Sequence, residues 1–171
     1  MNPLLGSGGE ADERCALVRR LARLEDQRAI ERLKYAYTAA LDGGYDLDRI
    51  CSLFTDDGRW VATGFGDHCG HAAIRGFFAG LKEEIAYAHH YASGPSIEIA
   101  ANGEEASGEW ALLCVSGRRH RDDPSVHLPV VELGRYHDRL VKREGRWLFA
   151  ELRVEVTLSK QVADLLSRPA V

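Results

Sequence analysis

Apolar residues recur with helical spacing through the first quarter of the chain. Residues 11–41 are mainly Arg, Leu, Ala, Glu and Gln, which favour helix, and Gly43-Gly44 follow as a stop signal. The apolar positions spaced three and four residues apart are Ile30, Leu33, Tyr37 and Leu41. Such a stripe is typical of an amphipathic helix that packs on a core. We therefore expect Tyr37 to point inward.

A short helix, a turn, a strand and a third helix are predicted next. Asp46 can cap a helix over LDRICSLF, and the turn residues TDDG at 55–58 separate it from a strand at 59–62. The segment GHAAIRGFFAGLKEEIA then places four apolar residues on one helical face: Ile74, Phe77, Phe78 and Leu81.

The second half of the chain has the pattern of antiparallel strands. Four strands are predicted, at 87–100, 106–116, 130–143 and 146–158. Asn102-Gly103 and Glu144-Gly145 fit hairpin turns, and residues 118–124 form a charged loop. This order predicts an α+β fold: a cone-shaped, curved antiparallel sheet, a half-barrel closed by the N-terminal helices around a pocket.

The chain shows no internal repeat and no linker that would divide it. Its 171 residues suit one domain with a single core. The expected organisation is a flexible lead at 1–10, one domain at 11–158, and a tail or short helix at 159–171.

Composition and charge exclude several classes of function. The net charge is -4, from 22 Lys and Arg against 26 Asp and Glu, and no basic stripe is present, which argues against nucleic-acid binding. The longest apolar run, WALLCV, is far too short to cross a bilayer, and the first residues lack a basic leader region. A cytoplasmic protein without membrane contact is expected. The four cysteines form no CxxC pair and are expected to be reduced and mostly buried.

Several separated motifs resemble one family. They are LEDQRAIERLKYAYTAALDGGYDLDRICSLFTDDGRW, GHAAIRGFFAGL, HHYASGPSIEI, GEW and GRYHDRLVKREGRWLFAELRV. In this order, from about residue 24 to 156, they resemble the SnoaL-like branch of the NTF2-like superfamily, which includes scytalone dehydratase, bile acid 7α-dehydratase and lindane dehydrochlorinase. The resemblance implies a cone-shaped α+β barrel. It leaves the activity open, because the fold hosts dehydratases, isomerases, cyclases, hydrolases and binding modules.

Asp42 and a histidine are the first candidates for catalysis. Asp42 ends the first helix, where the negative end of the macrodipole disfavours a carboxylate, although a simple turn residue would also fit there. The resemblance implies a dyad of Asp42 with His90, in which the carboxylate orients the imidazole and leaves Nε2 free as a base. Strand alternation allows only one of His89 and His90 to face the pocket. A bulge expected at Gly94-Pro95 makes the alternation an unreliable guide to which one, so His90 is chosen on the resemblance alone.

Tyr37 is the third candidate. A tyrosine on an apolar stripe is often a core residue, but the resemblance implies that its hydroxyl holds a substrate oxygen. The residues expected to bind substrate as part of the pocket wall are Trp60, Tyr91, Trp110 and Arg153. Arg153 could instead pair with Glu151 across the sheet. Bile acid dehydratases carry an acidic residue shortly after the tryptophan that Trp110 resembles. This chain has Cys114 at that position, which argues against bile acid dehydration.

No cofactor or metal is expected. The chain lacks GxGxxG, GxxxxGK[ST] and GxSxG. DHCGH at 67–71 has no further Cys/His pair at metal-binding spacing and is expected to be a loop that leads into the third helix. The hypothesis is a cofactor-independent dehydratase-type lyase or an isomerase that acts on a small apolar oxygenated compound such as a polyketide, steroid or aromatic. The alternatives are a binding or assembly module and a polyketide cyclase or epoxide hydrolase. By resemblance, a homodimer or homotrimer is expected.

Overall fold

Helices come first in the chain and a sheet follows. The computed structural model describes residues 7–166, with ten elements. The helices are α1 (Ser7–Asp42), α2 (Leu47–Cys51), α3 (Gly70–Glu84) and α4 (Val162–Leu166). The strands are β1 (Phe54–Ala62), β2 (Gly66–Cys69), β3 (Ile85–Ile99), β4 (Glu105–Arg119), β5 (His127–Arg143) and β6 (Arg146–Gln161).

One six-stranded sheet carries the fold. Its order is β2-β1-β6-β5-β4-β3, and every neighbouring pair is antiparallel except β1 with β6, which is parallel. The sheet is therefore mixed, where the sequence predicts a purely antiparallel one. Bulges in β3 and β6 bend it, α1 and α3 pack against it, and α2 packs against these two helices. The predicted α+β half-barrel is confirmed.

Helix α1 forms because of its predicted apolar stripe. Ile30, Leu33, Tyr37 and Leu41 are all buried. The helix begins at Ser7, within the lead expected at 1–10, and the side chains of residues 9–25 are exposed. Residues 1–6, the rest of that lead, lie outside the described residues.

The start of α2 and the presence of four long strands agree with the predictions from the sequence. Asp46 caps α2 by accepting a hydrogen bond from the backbone N–H of Arg49 at 3.1 Å. Glu144 and Gly145 join β5 to β6 with positive φ values of 50° and 76°, the backbone of a tight hairpin turn. The bulge expected at Gly94-Pro95 lies between Ser93 and Ser96.

Three local predictions were wrong. The TDDG segment lies within β1 instead of forming a turn before it, because β1 already pairs with β6 at Phe54. Part of DHCGH forms the short strand β2, which pairs with β1. Arg118 and Arg119 extend β4, because they pair with the start of β5.

The end of the chain continues the sheet beyond residue 158. Strand β6 runs to Gln161, and α4 follows directly. Residues 167–171 of the expected tail are outside the described part. Of the four free cysteines, Cys51 and Cys114 are buried, whereas Cys15 and Cys69 are exposed. No helix in residues 7–166 has the length and apolar content needed to cross a membrane.

Candidate active site

The last residue of α1 meets β3 in a side-chain pair. His90 Nδ1 lies 2.7 Å from Asp42 Oδ1, and the backbone N–H of His90 donates to both carboxylate oxygens at 3.1 Å. The carboxylate therefore holds both the backbone and the ring of His90. With Nδ1 facing a carboxylate, the proton lies on Nδ1 and Nε2 stays free to accept another.

The structure places His90, and not His89, on the cavity side of β3. His89 is exposed, whereas the His90 side chain is only 12% exposed and lines the cavity. The bulge lies beyond both residues, after Ser93, so regular alternation holds through this part of the strand.

The turn after α1 positions Asp42. Backbone N–H groups of Gly44 and Tyr45 both donate to the Leu41 carbonyl at 3.1 Å, which ends the helix. Gly44 has a φ of 89° and Tyr45 a φ of 57°. A left-handed tyrosine is uncommon, and such backbone strain clusters at functional sites.

A partly enclosed cavity lies between the helices and the sheet. Its volume is about 70 Å³, several times the roughly 10–15 Å³ that one water molecule needs. Most of its wall is apolar, and its polar lining residues are Tyr37, Tyr45, His90, Cys114, Ser116, Arg118 and Glu132. An apolar cavity with a few converging polar groups is typical of a small-molecule site.

Tyr37 and Trp60 form a hydrogen-bonded pair in the cavity wall. The indole N–H of Trp60 donates to the Tyr37 hydroxyl oxygen at 2.7 Å. The hydroxyl proton of Tyr37 is therefore free for another acceptor. Burial raises the pKa of Tyr37 well above its usual range, so the phenol stays neutral and can act as a donor.

Tyr45 is a cavity residue that the sequence analysis missed. It is 4% exposed and lines the cavity, and within residues 7–166 its hydroxyl makes no hydrogen bond. Burial raises the pKa of this phenol too. Its signal in the sequence is an aromatic residue directly after a Gly-Gly helix stop.

A row of inward-facing residues crosses the sheet at His90. Cys114 on β4 pairs with His90 on one side and with Glu132 on the other. Arg118 Nη2 lies 3.4 Å from Glu132 Oε1, which also accepts from the Ser159 hydroxyl at 3.0 Å. Burial raises the pKa of Cys114 to about 12, so its thiol stays protonated. The sequence analysis thus missed a guanidinium on β4, one strand from His90, and an acid on β5, two strands from it.

The structure does not bring three of the expected substrate-binding residues to the cavity. Tyr91 follows His90 and so points to the opposite, exposed face of β3. Trp110 is buried but belongs to the core beyond the cavity. Arg153 Nη2 donates to Glu151 Oε1 at 2.8 Å, so the alternative ion pair does form, but along strand β6 and not across the sheet as expected. Trp60 alone of the four lines the cavity.

A second buried pair was also missed. Lys34 Nζ on α1 lies 2.6 Å from Asp138 Oδ2 on β5, and neither side chain is exposed. The ammonium also sits 3.5 Å from the centre of the Tyr136 ring. Lys34 occupies the apolar stripe of α1, four residues after Ile30 and three before Tyr37, which is the signal that could have found it.

The DHCGH segment is engaged in structural contacts. His68 stacks on Phe77, with ring centres 4.2 Å apart, and its Nε2 lies 3.0 Å from the Phe65 carbonyl. His71 Nε2 lies 3.2 Å from the Phe54 carbonyl. In the described part of the chain, no three His, Cys, Asp or Glu side chains lie close enough together to hold a metal.

Helices that cover a curved sheet, with His90 of a polar pair lining the cavity between them, define an α+β cone with an interior cavity. A family model of the SnoaL-like domain matches residues 22–153. The chain belongs to the SnoaL-like family, as the sequence motifs predicted. A search of curated proteins found no match.

Solved structures share the fold at low sequence identity. A candidate scytalone dehydratase from Novosphingobium aromaticivorans has a TM-score of 0.73 at 21% identity, over 87% of this chain and 93% of that one. A hexachlorocyclohexane dehydrochlorinase from Novosphingobium barchaimii has a TM-score of 0.74 at 19% identity, over 88% of this chain and 99% of that one. A candidate aromatic ring hydroxylase from N. aromaticivorans has a TM-score of 0.72 at 24% identity, over 82% of this chain and 96% of that one.

Proposed function

We propose that the chain is a cofactor-independent lyase of the dehydratase type, acting by general base catalysis on a small, mostly apolar, oxygenated compound. One observation carries this proposal: the Asp42–His90 pair borders a largely apolar cavity. The names of two similar structures, a candidate scytalone dehydratase and a dehydrochlorinase, support elimination chemistry.

His90 removes a proton from the carbon next to a substrate carbonyl. Asp42 holds Nδ1, so the abstracted proton goes to Nε2 and the resulting imidazolium is stabilised by the carboxylate at 2.7 Å. A base held in this way contributes about 100- to 10,000-fold to the rate. The elimination breaks a C–H and a C–O bond and releases water without a change of redox state, and the chain's own side chains supply the proton transfers.

Tyr37 donates a hydrogen bond from its free hydroxyl to the carbonyl oxygen and keeps its proton throughout. Negative charge develops on that oxygen as the proton leaves carbon, and a preorganised donor in a cavity with little water stabilises it. The Trp60 N–H bonded to the Tyr37 oxygen fixes the phenol in place and increases its strength as a donor.

Arg118 and Glu132 hold the hydroxyl group that leaves. The electron pair of the broken C–H bond forms the double bond, and hydroxide departs from the next carbon. It takes the proton carried by His90, which yields water and restores the free base. The guanidinium donates and the carboxylate accepts, so this pair suits a hydroxyl group, which does both.

Charges around the cavity favour a neutral substrate. Arg118 and Glu132 balance each other, and Asp42 adds a negative charge behind His90. An anionic substrate would therefore be disfavoured, whereas a neutral hydroxyketone ring finds apolar walls and two polar ends.

The test is proton exchange and elimination on β-hydroxy cyclic ketones, with β-hydroxycyclohexanone as the smallest. We expect enone absorbance to rise with the wild-type chain and, in heavy water, deuterium to enter next to the carbonyl. In His90→Ala and Asp42→Asn both signals should fall about 100-fold or more.

The neighbouring histidine provides the matched control. His89→Ala removes the same ring one position away on the exposed face, and its rates should equal those of the wild type. Equal rates in folded His90→Ala and wild type would refute the mechanism. Binding of the ketones without exchange in any variant would support the alternative of a passive binding module.

A further inference from the structure

Tyr45 brings an unpaired hydroxyl to the cavity wall. The residue is 4% exposed and lines the cavity, and within residues 7–166 its hydroxyl makes no hydrogen bond. The hydroxyl of Tyr37, by contrast, is bonded to the Trp60 indole at 2.7 Å. A buried phenol usually has a partner for its hydroxyl, so an unpaired one in the wall of a cavity is available to a ligand.

The backbone of Tyr45 is strained, and the turn itself does not require a tyrosine. Its φ of 57° lies in the left-handed region, which glycine adopts at lower cost. The ring lies 6.1 Å from the ring of Phe78, another residue of the cavity wall. This packing accounts for an aromatic ring at the position, but it gives the hydroxyl no structural role.

The surroundings of Tyr45 include the Arg118–Glu132 pair, which lines the same cavity. Burial is the main cause of the raised pKa of Tyr45, and the Glu132 carboxylate raises this pKa further while the Arg118 guanidinium lowers it. Both charges therefore act on the phenol at close range. The phenol stays protonated and can serve as a hydrogen-bond donor.

Two donors in this part of the cavity wall lack an acceptor. The Tyr45 hydroxyl is one, and the other is Arg118 Nε, a buried atom without a hydrogen-bond partner in the described part of the chain. Glu132 supplies only acceptor oxygens, and one of them already faces Arg118 Nη2 at 3.4 Å. A substrate hydroxyl group matches this arrangement, because it donates to the carboxylate and accepts from the two free donors.

We propose that Tyr45 is a further catalytic residue, which donates a hydrogen bond to the hydroxyl group that leaves the substrate. When the C–O bond breaks, its electron pair stays on oxygen, and the hydrogen bond from Tyr45 strengthens as this charge develops. Tyr45 keeps its proton, because the proton that completes water comes from His90. The inference rests on the proposed function and divides it between two phenols: Tyr37 serves the carbonyl oxygen and Tyr45 the leaving oxygen.

Two reactions separate these ends of the substrate. Cyclohexanone has no leaving group, so deuterium exchange next to its carbonyl does not involve Tyr45, whereas elimination from β-hydroxycyclohexanone does. Tyr45→Phe should slow the elimination about tenfold or more, and it should leave the exchange rate of cyclohexanone and the unfolding midpoint unchanged.

The matched control is Tyr35→Phe, which removes the hydroxyl of an exposed tyrosine on α1 and should change none of the three measurements. Elimination by Tyr45→Phe at the wild-type rate would overturn the proposal. Equal losses of elimination and of cyclohexanone exchange would also overturn it, because Tyr45 would then act at the carbonyl or only as a core residue.

Binding without turnover tests Tyr45 separately from the proposed function. In the His90→Ala variant, NMR titrations compare β-hydroxycyclohexanone with cyclohexanone, which differ only in the hydroxyl group. The hydroxy ketone should bind more tightly, and adding Tyr45→Phe should reduce this advantage about fivefold while the affinity for cyclohexanone stays the same.

The two failures are distinguishable. A wild type that neither exchanges nor eliminates would refute the proposed function, and a binding advantage that depends on Tyr45 would then make it the hydroxyl-binding residue of a passive module. No advantage in His90→Ala, or one that Tyr45→Phe leaves unchanged, would overturn the assignment of Tyr45 whether or not the chain is an enzyme.

Discussion

Two acid–base pairs tie α1 to the sheet, and their surroundings separate their roles. Lys34 meets Asp138 at 2.6 Å, and eight residues later Asp42 meets His90 at 2.7 Å. The first pair has no exposed side-chain surface. In the second, the side chains are 27% and 12% exposed for Asp42 and His90, and His90 borders the cavity. The two pairs thus have similar separations, although the first is sealed from solvent and the second borders a cavity.

The sealed Lys34–Asp138 pair has a structural role, because neither side chain has exposed surface at which water could take the place of its partner. Burial lowers the pKa of Lys34 and raises that of Asp138, against their mutual attraction. Aromatic rings, with Tyr136 the nearest at 3.5 Å, partly take the place of water around the ammonium. No ligand reaches this pair, whereas His90 faces a cavity in which a proton can come from a substrate.

The largest effect on stability is expected from breaking the sealed pair on one side. Lys34→Met leaves Asp138 buried and unpaired, so the free energy of unfolding should fall by about 3–5 kcal/mol, measured by urea titration. The double variant Lys34→Met/Asp138→Leu removes both charges and should recover most of that loss. A single variant as stable as the wild type would show that the pair is not sealed.

These pairs also show what the sequence can and cannot predict. The helices and the long strands follow from apolar spacing, and the Asp42–His90 pair followed from the resemblance. Lys34 and Asp138 were missed because apolar patterning treats a charge as exposed, although both occupy inward positions of their elements. Glu132 was missed for a different reason: its position opposite Cys114 depends on the register between β4 and β5, which apolar patterning does not provide.

Tyr37 lies between the two pairs on α1 and should respond in both stability and activity. Tyr37→Phe leaves the buried Trp60 N–H without its acceptor, which should cost about 1–3 kcal/mol in urea unfolding. The same change should slow deuterium exchange into β-hydroxycyclohexanone, because the carbonyl loses its donor. If the variant loses stability but deuterium exchange is unchanged, Tyr37 acts only as a core residue and not on the substrate.

The pH dependence of stability should distinguish the sealed pair from the rest of the molecule. The pKa of Lys34 is lower folded than unfolded, so the unfolded chain binds more protons between about 8 and 10.5, and stability rises with pH there. The pKa of Asp138 is higher folded, so stability falls as pH rises from 3.8 to about 6. Relative to Lys34→Met/Asp138→Leu, the wild type should show both slopes in urea titrations; their absence would contradict the pKa directions.

The smallest effect is expected at a third polar contact, eight residues before Lys34. Asp26 accepts from the Trp147 indole N–H at 2.9 Å and lies 2.5 Å from Lys142 Nζ, with partial exposure of both charged side chains. Water can replace what is lost, so Asp26→Ala should lower the free energy of unfolding by only about 1 kcal/mol. The loss should shrink in high salt, unlike that of Lys34→Met, because salt screens a partly exposed pair and not a sealed one. Equal losses in the two variants would mean that burial does not set the strength of these contacts along α1.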